Sequence, residues 1–408
     1  MQRLIEADEE APVRGVPRPC PVCGDTAALT MFDNRIAATA GYDFSSPIAL
    51  CTACGCAYAG HALPAPDLNR YYSGLSKYDT LAARSDISAL DRERGELTTA
   101  FLAPILGTLN SVLDVGCSSG MLLHVLREAG VKHAHGIDPA DHASAVAKAL
   151  FDVSVTQAQA ETYDRYGQYD LVCLMAVLEH LLEPGRLLRE VGRQLKPGGR
   201  VLIEVPDAGA FDRPGDDGAL EPFCEFSNEH INFLSISDVQ RLGLSAGLAV
   251  ERWKTCRIGH GAPDLFVLLK RTAATWALPA PDSGSTPSRL SSKESLQNYV
   301  DRSTLGMVDI ERRLAASCDG AVLIYGAGNH TGRLMVQSPA LAAAEVHAVL
   351  DRNRHLHGER IGSCAILPPS ALGDFPRVPV IISTFNARRD IHDSLRAVTS
   401  QPLVLLYD

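Results

Sequence analysis

The chain has 408 residues, 46% of them hydrophobic and 21% charged, a length and balance suited to two or three globular domains. Its formal net charge of −10 argues against nucleic acid or an anionic membrane as partner. No apolar run reaches the roughly 20 residues needed to cross a bilayer, and the acidic start MQRLIEADEE lacks an apolar signal core, so a cytoplasmic location is expected.

The first part, residues 1–80, contains CPVCG at 20–24 and CTACGCAY at 51–58, while the cysteines beyond it are scattered singly. In a cytoplasmic chain, paired CxxC spacing points to metal rather than disulfides. Thiolates of Cys20, Cys23, Cys51 and Cys54 can close a tetrahedral shell around structural Zn²⁺, and Gly24 and Gly55 let the backbone turn its N–H groups toward sulfur. A zinc ribbon is expected, with Cys56 as a spare thiol. A closed shell offers no open coordination position, so the metal is given no catalytic part.

The second part spans 81–275. A helical region, DISALDRERGELTTAFLAPIL, leads into SVLDVGCSSGMLLHVLREAG: an apolar strand ending in an acid, a Gly-rich turn, then an amphipathic helix. HAHGIDPA is a second strand ending in Asp138. Further strands are read at 169–180, 200–206, 248–255 and 264–271, with helices between the earlier ones. Alternation of this kind implies an α/β doubly wound parallel sheet. Between the fifth and sixth strands lies a long insertion, 207–235, placed above the carboxyl ends of the strands, where open α/β sheets bind ligands. It ends in EFSNEHINFLS, 225–235, whose apolar residues are expected to fix the segment while Asn228, Glu229, His230 and Asn232 face a substrate.

Residues 272–292, rich in Pro, Ser, Ala and Gly, read as an exposed linker, and Ser291 with Glu294 reads as a capping box for a helix over 292–317. The third part, 290–408, repeats the α/β theme as a smaller Rossmann-like domain. Its turn, GAGNHTG, carries Gly326, Gly328 and Gly332 in a GxGxxxG spacing too loose to specify a dinucleotide. It is read as a cradle for a nucleotide or phosphate group, with Gly328, His330 and Arg333 as candidate contacts, or as a purely structural turn.

The dinucleotide fingerprint is absent from the second part; DVGCSSG instead resembles the first motif of class I S-adenosylmethionine-dependent methyltransferases, with Ser118 in place of the middle glycine. VLEH and LKPGG resemble that family's fourth- and fifth-strand region. The resemblance covers most of 105–271. It implies that Asp114, Gly116, Cys117 and Gly120 lie beside the methionine part of the cofactor. Asp138, followed by Pro139, would then reach the ribose hydroxyls.

With CPVCG, CTACG, LDVGCSSG, LEH, NEHINFLS, GAGNHTG and the LDRN…HGERIG stretch in order, the whole of 18–408 resembles the sugar C-methyltransferases. That family acts on nucleotide-linked deoxy keto sugars, typically at C-3 of a 4-keto sugar. The resemblance implies His230 as the base with Glu229 beside it, His180 as a second site histidine, and a site tyrosine from the region of Tyr71, Tyr72 and Tyr78. Members often carry a tyrosine where this chain has Ser227, which leaves O- or N-methylation of a sugar or small metabolite open as the alternative. The expected partner is a small nucleotide sugar, with no nucleic acid and no membrane, bound by a monomer.

Overall fold

The computed structural model describes residues 11–74, 89–140, 143–159, 163, 165–213, 221–259, 261–271, 278–385 and 387–407. Its central element is a seven-stranded sheet. In spatial order the strands are Ser154–Gln157, His133–Asp138, Ser111–Val115, Tyr169–Met175, Leu195–Pro206, Asp264–Arg271 and Leu248–Cys256. The first five are parallel, Asp264–Arg271 is antiparallel to both its neighbours, and Leu248–Cys256 therefore points the same way as the first five. The sheet is therefore mixed rather than wholly parallel as the sequence suggested. The reason is connection length: the loop at 257–263 cannot hold a crossover helix, so the chain turns back as a hairpin. The short polar strand Ser154–Gln157 carries no apolar run and was not anticipated.

Helices cover both faces of this sheet, so neighbouring strand residues are buried in turn on opposite sides. Leu113, Val172, Ile203 and Val267 pack on one side, and Val112, Leu171, Leu202 and Phe266 on the other. That two-sided burial explains why the strands read as near-continuous apolar runs. The order, with its antiparallel penultimate strand, is that of a class I methyltransferase sheet.

A second sheet of six strands follows, with Glu345–Leu350, Ala321–Tyr325, Val380–Ile382 and Leu403–Leu405 adjacent and parallel. The N-terminal part forms a four-stranded antiparallel sheet from Ala28–Asn34, Ser46–Cys51 and Ala57–Ala59. Its remaining edge strand, Asn232–Phe233, comes from the far end of the long insertion. The same insertion joins the ribbon to the C-terminal unit. Phe32, Phe223, Phe226 and Tyr299 form a buried aromatic cluster, with Phe32 and Phe223 stacked at 4.5 Å.

Two sequence expectations need correction. The segment after 277 is not a free linker: Asp282 N–H donates to Trp253 O, Thr286 N–H to Thr255 O and Arg289 N–H to Gly209 O. The outer strand Leu248–Cys256 has unpaired backbone groups, and this segment satisfies them. The helix after it runs Lys293–Ala315, with Ser292 rather than Ser291 at its N-cap. Ser292 Oγ donates to Gly55 O, and Glu294 pairs with Arg289, so the expected capping box is not made. A reciprocal Ser–Asp cap occurs instead where the insertion ends, Asp238 Oδ2 accepting from both Ser235 N–H and Ser235 Oγ. Among the described residues no helix is long and apolar enough to cross a membrane.

Arg333 ties three parts of the chain together. It is fully buried, donates to Asn34 Oδ1 at 2.5 Å and Phe226 O at 3.0 Å, and lies over the Phe223 ring. Truncation leaves Asn34 Oδ1 buried without this donor and Phe226 O with only the long bond from Asn34 Nδ2 at 3.4 Å. Arg333→Leu is expected to cost about 3 kcal/mol or more. The check is the first transition in a thermal scan, which should fall by several degrees; an unchanged transition would mean water replaces the guanidinium.

Candidate functional site

The turn after Ser111–Val115 is held in strained backbone. Gly116, Ser118 and Gly120 have φ of 71°, 50° and 78°. A Cβ on Gly120 would lie 2.5 Å from a Val153 methyl, so glycine is required there. Ser118 occupies a left-handed position at a cost of about 1–2 kcal/mol for a residue with a side chain. Its N–H donates to Asp138 Oδ2 at 2.9 Å, while Asp138 Oδ1 accepts from Ala140 N–H at 2.9 Å. The second-strand acid thus fastens the first-strand turn, and its remaining lone pairs are free to accept from a ligand hydroxyl.

Above this turn opens a hollow of about 500 Å³ bordered by Gly116, Ser118, Asp138, Pro139, Ala176 and Val177, with Tyr72, His180 and Glu229 at its rim. A narrower hollow beside it, about 110 Å³, is bordered by Asp114, Gly116, Cys117 and Arg94. Asp114 Oδ1 is buried with no hydrogen-bond partner among the described residues, and burial pushes its carboxyl well above the usual range. An orphaned acceptor beside a Gly turn suits the ammonium of an amino-acid-bearing cofactor. Asp138 and Pro139 border the larger hollow, where a carboxylate could accept from ribose hydroxyls. The thiol of Cys117 packs against Gly136 and is buried with Leu123 and Ala143, so only the backbone of Cys117 can serve the turn.

The rim is built from three elements. Strand Tyr169–Met175 passes through Ala176, also left-handed at φ 53°, into the short turn Leu178–His180. Helix Ala65–Gly74 contributes Tyr71 and Tyr72. The insertion contributes Glu229 and His230. His180 Nδ1 lies 3.0 Å from Glu229 O and 3.3 Å from the Tyr72 hydroxyl. Tyr71 donates its hydroxyl to Glu229 Oε1 at 3.3 Å. Burial and the Glu229 charge push both phenols up, so they act as neutral donors. The His180 and His230 rings meet edge-on at 5.1 Å. His230 borders a smaller adjoining hollow with Ser227, Asn228, Ser45 and His61, and its N–H donates to Ser227 Oγ. Asn228 Oδ1 is buried there without a hydrogen-bond partner among the described residues.

Several expected substrate contacts are structural instead. Asn232 is buried, its Nδ2 donating to Leu178 O and Leu181 O at 2.7 Å each and its Oδ1 accepting from Arg18, so its polar atoms face the fold. His330 is buried between Tyr407, at 2.7 Å from Nε2, and Ser383; burial pushes it down to about 3, so it stays neutral and offers no charge to a phosphate. Arg333 is enclosed as described. Gly328 alone of the three third-domain candidates has open space at its Cβ position. Tyr78 lies outside the described residues. Two residues that border the cofactor side or the rim were missed, Arg94 and Glu179, because a lone basic residue in DRERGELTT and the acid of LEH have no spacing that marks them.

The four ribbon sulfurs of Cys20, Cys23, Cys51 and Cys54 lie within 4.8 Å of one another, with Cys20–Cys54 and Cys23–Cys51 at 3.5 Å. Tetrahedral Zn–S bonds of about 2.3 Å imply S···S separations near 3.8 Å, so the set fits zinc. The Cys56 thiol is outside this group and points to Ala57 O.

A protein-family profile described as a methyltransferase domain matches residues 89–252. The chain carries a class I S-adenosylmethionine-dependent methyltransferase domain. It is similar to the ubiquinone biosynthesis O-methyltransferase of Aeromonas salmonicida, 31% identical over 151 residues, which cover 34% of this chain and 63% of that protein. It is also similar to the protein of that name from Bordetella avium, 26% identical over 201 residues covering 45% and 83%. Among solved structures, the Burkholderia thailandensis 1,6-didemethyltoxoflavin-N1-methyltransferase aligns with a TM-score of 0.40 at 17% identity, covering 53% of this chain and 95% of that one. The methyltransferase match leaves the ribbon and the second α/β unit outside it.

Two measurements follow from this geometry. Purified protein is expected to hold one zinc per chain, lost in Cys54→Ser but retained in Cys56→Ser; metal analysis of both variants checks the ligand set. Asp138→Ala is expected to weaken S-adenosylmethionine binding by about 10-fold or more, through loss of one charged acceptor and of the Ser118 anchor. Calorimetry would read the loss, and unchanged affinity would remove Asp138 from the cofactor site.

Proposed function

We propose that the chain transfers a methyl group from S-adenosylmethionine to a carbon beside the ketone of a nucleoside-diphosphate-linked deoxy keto sugar. The observation that carries this is the cluster of His180, Glu229 and Tyr72 at the rim of the donor hollow, with the His230 ring edge-on to His180 behind it, the Glu229–His230 segment being fastened to both the ribbon and the third unit. A carbon beside a ketone becomes a nucleophile only after losing a proton. An imidazole with an ordinary value near 6.5 is suited to take it.

In this reading His230 removes the proton. The C–H pair forms a C=C bond and the carbonyl pair moves to oxygen. His180 or Tyr72 donates to that oxygen, a contribution of about 3 kcal/mol in comparable donor deletions. The enolate carbon then attacks the sulfonium methyl in line, and the departing pair returns to sulfur. The protein's part is to hold the two reactants at that angle and to supply the base and donor. The nucleotide would lie toward the turn at Gly328, whose following helix begins with Asn329, the acceptor of Asn228 N–H.

The second reading, O-methylation, is favoured by the names of the relatives and by Ser227 in place of a tyrosine. The same base cluster would then deprotonate a hydroxyl. Solvent deuterium separates the two. Wild-type protein incubated in D₂O with a nucleoside-diphosphate-linked 4-keto-6-deoxyhexose and S-adenosylhomocysteine is expected to exchange the proton beside the ketone. His230→Ala should abolish exchange and turnover with S-adenosylmethionine affinity nearly unchanged. Methylation without any exchange would favour the oxygen acceptor, and full turnover by His230→Ala would remove the base assignment.

A further inference from the structure

In the methyl-transfer reading His230 ends each turnover holding the proton taken from carbon, and that proton has to reach solvent before the next. The donor hollow is a poor exit, because cofactor and substrate occupy it in the reacting complex. His230 stands between two spaces. Its ring meets that of His180, which borders the donor hollow, edge-on at 5.1 Å. His230 itself borders the smaller hollow, about 20 Å³, together with Ser227, Asn228, Ser45, Asp43 and His61. The far wall of this hollow belongs to the ribbon surface. His61 is half-buried in the short strand His61–Ala62, and Asp43 pairs with the exposed Arg14.

Volume and polarity both suit one water. A water needs about 10–15 Å³ and two to four polar partners. Asn228 Oδ1 is buried with no hydrogen-bond partner among the described residues, so it is an acceptor in need of a donor. Ser227 Oγ accepts from the His230 backbone N–H and keeps its own hydroxyl hydrogen to give. Two other polar groups of the wall are committed elsewhere. Ser45 Oγ accepts from Ile36 N–H and donates to Ile36 O, while Asp43 holds Ser45 N–H with one oxygen and Arg14 with the other. His61 is fixed beside the hollow by its backbone N–H, which donates to Ser46 Oγ. An imidazole accepts at one nitrogen while giving at the other, so His61 is the group in this wall suited to pass a proton outward.

We propose that the small hollow is the exit for the proton abstracted from substrate: one water, held by Asn228 and Ser227, joins His230 to His61, and His61 releases the proton to solvent. This deepens, and rests on, the assignment of His230 as the base. The N–H bond of protonated His230 breaks toward the water oxygen. That water gives one of its own protons to a ring nitrogen of His61, and the His61 ring gives its other N–H proton to bulk water. His230 returns to the neutral form with the water still in place. His61 touches neither substrate nor cofactor and acts only through His230. A proton drawn off on the ribbon side is no longer beside the enolate carbon to quench it before the methyl arrives.

Deuterium exchange and methylation depend on this route differently. Both need the proton off carbon, but exchange also needs it to leave His230. In zinc-loaded protein, His61→Phe keeps a ring in the wall and removes its capacity to carry a proton. With S-adenosylhomocysteine and the keto-sugar probe in D₂O, exchange by this variant is expected to fall about tenfold or more, while single-turnover methylation with S-adenosylmethionine stays within about twofold. His61→Ala should show the same loss, restored by free imidazole in the buffer. A second readout needs no substrate: the exchange of the His230 ring N–H with water in ¹⁵N-histidine-labelled, S-adenosylhomocysteine-bound protein, the signal assigned by its loss in His230→Gln. It should slow by a similar factor in His61→Phe. Equal ring exchange in the wild type and His61→Phe overturns the proposal, whatever the probe does. So does a parallel fall of exchange and methylation with no rescue by imidazole, which would make His61 a packing residue. If the wild type neither exchanges nor methylates the probe while ring exchange still slows in His61→Phe, the keto-sugar reading fails and the water route stands.

Discussion

The pairing of Asn232 and Phe233 with Tyr58 and Ala57 is the constraint on which the site depends. A two-residue strand has little stability by itself. Here it is reinforced from three sides: Arg18 reaches across to Leu182 O and Asn232 Oδ1, the Asn232 amide clamps Leu178 O and Leu181 O, and Ile231 N–H donates to Glu179 O. These bonds join the ribbon, the turn that carries His180 and the segment that carries Glu229 and His230. The distance between the imidazoles is set by this lattice and not by side-chain choice alone.

The cysteine-bearing ribbon acquires a mechanical meaning from this arrangement. Its cysteines do not line the donor hollow, and four thiolates around one metal would leave no open coordination position. What it supplies is a rigid antiparallel sheet with an edge, to which a segment more than 170 positions later can add. The aromatic cluster of Phe32, Phe223, Phe226 and Tyr299 continues the same support into the C-terminal unit. The insertion is therefore a buried strut, although its position in the chain is that of a loop.

Much of this was legible in the residues. CxxC spacing gave the sulfur set, DVGCSSG gave the cradle, and the periodic apolar runs gave the strands, because each depends on local chemistry. The apolar residues of 225–235, Phe226, Ile231, Phe233 and Leu234, are buried and anchor the segment as their mixture with polar residues suggested. What failed was long-range: Asn232 and Arg333 were taken for ligand contacts because polar residues beside a binding turn usually face it. Both instead serve backbone carbonyls contributed by distant parts of the chain, Leu178 and Leu181 in one case, Phe223 and Phe226 in the other. Nothing in their own neighbourhoods signals those partners. The orientation of the hairpin at 248–271 depended on counting the loop rather than on the strands themselves.

The segment from Pro279 to Arg289, laid along Leu248–Cys256, has a bearing on how copies of the chain meet. An uncovered outer strand is a template for cross-strand addition by another polypeptide, the route to edge-to-edge aggregation. Trp253 Nε1–H to Pro279 O and the Arg252–Asp282 pair hold a proline-bearing cover over that rim. The opposite rim, Ser154–Gln157, is only four residues long and mostly polar, which discourages addition by a different means. Colloidal stability at high concentration is thus built into the connector between the two α/β units, a stretch whose composition suggests no such duty.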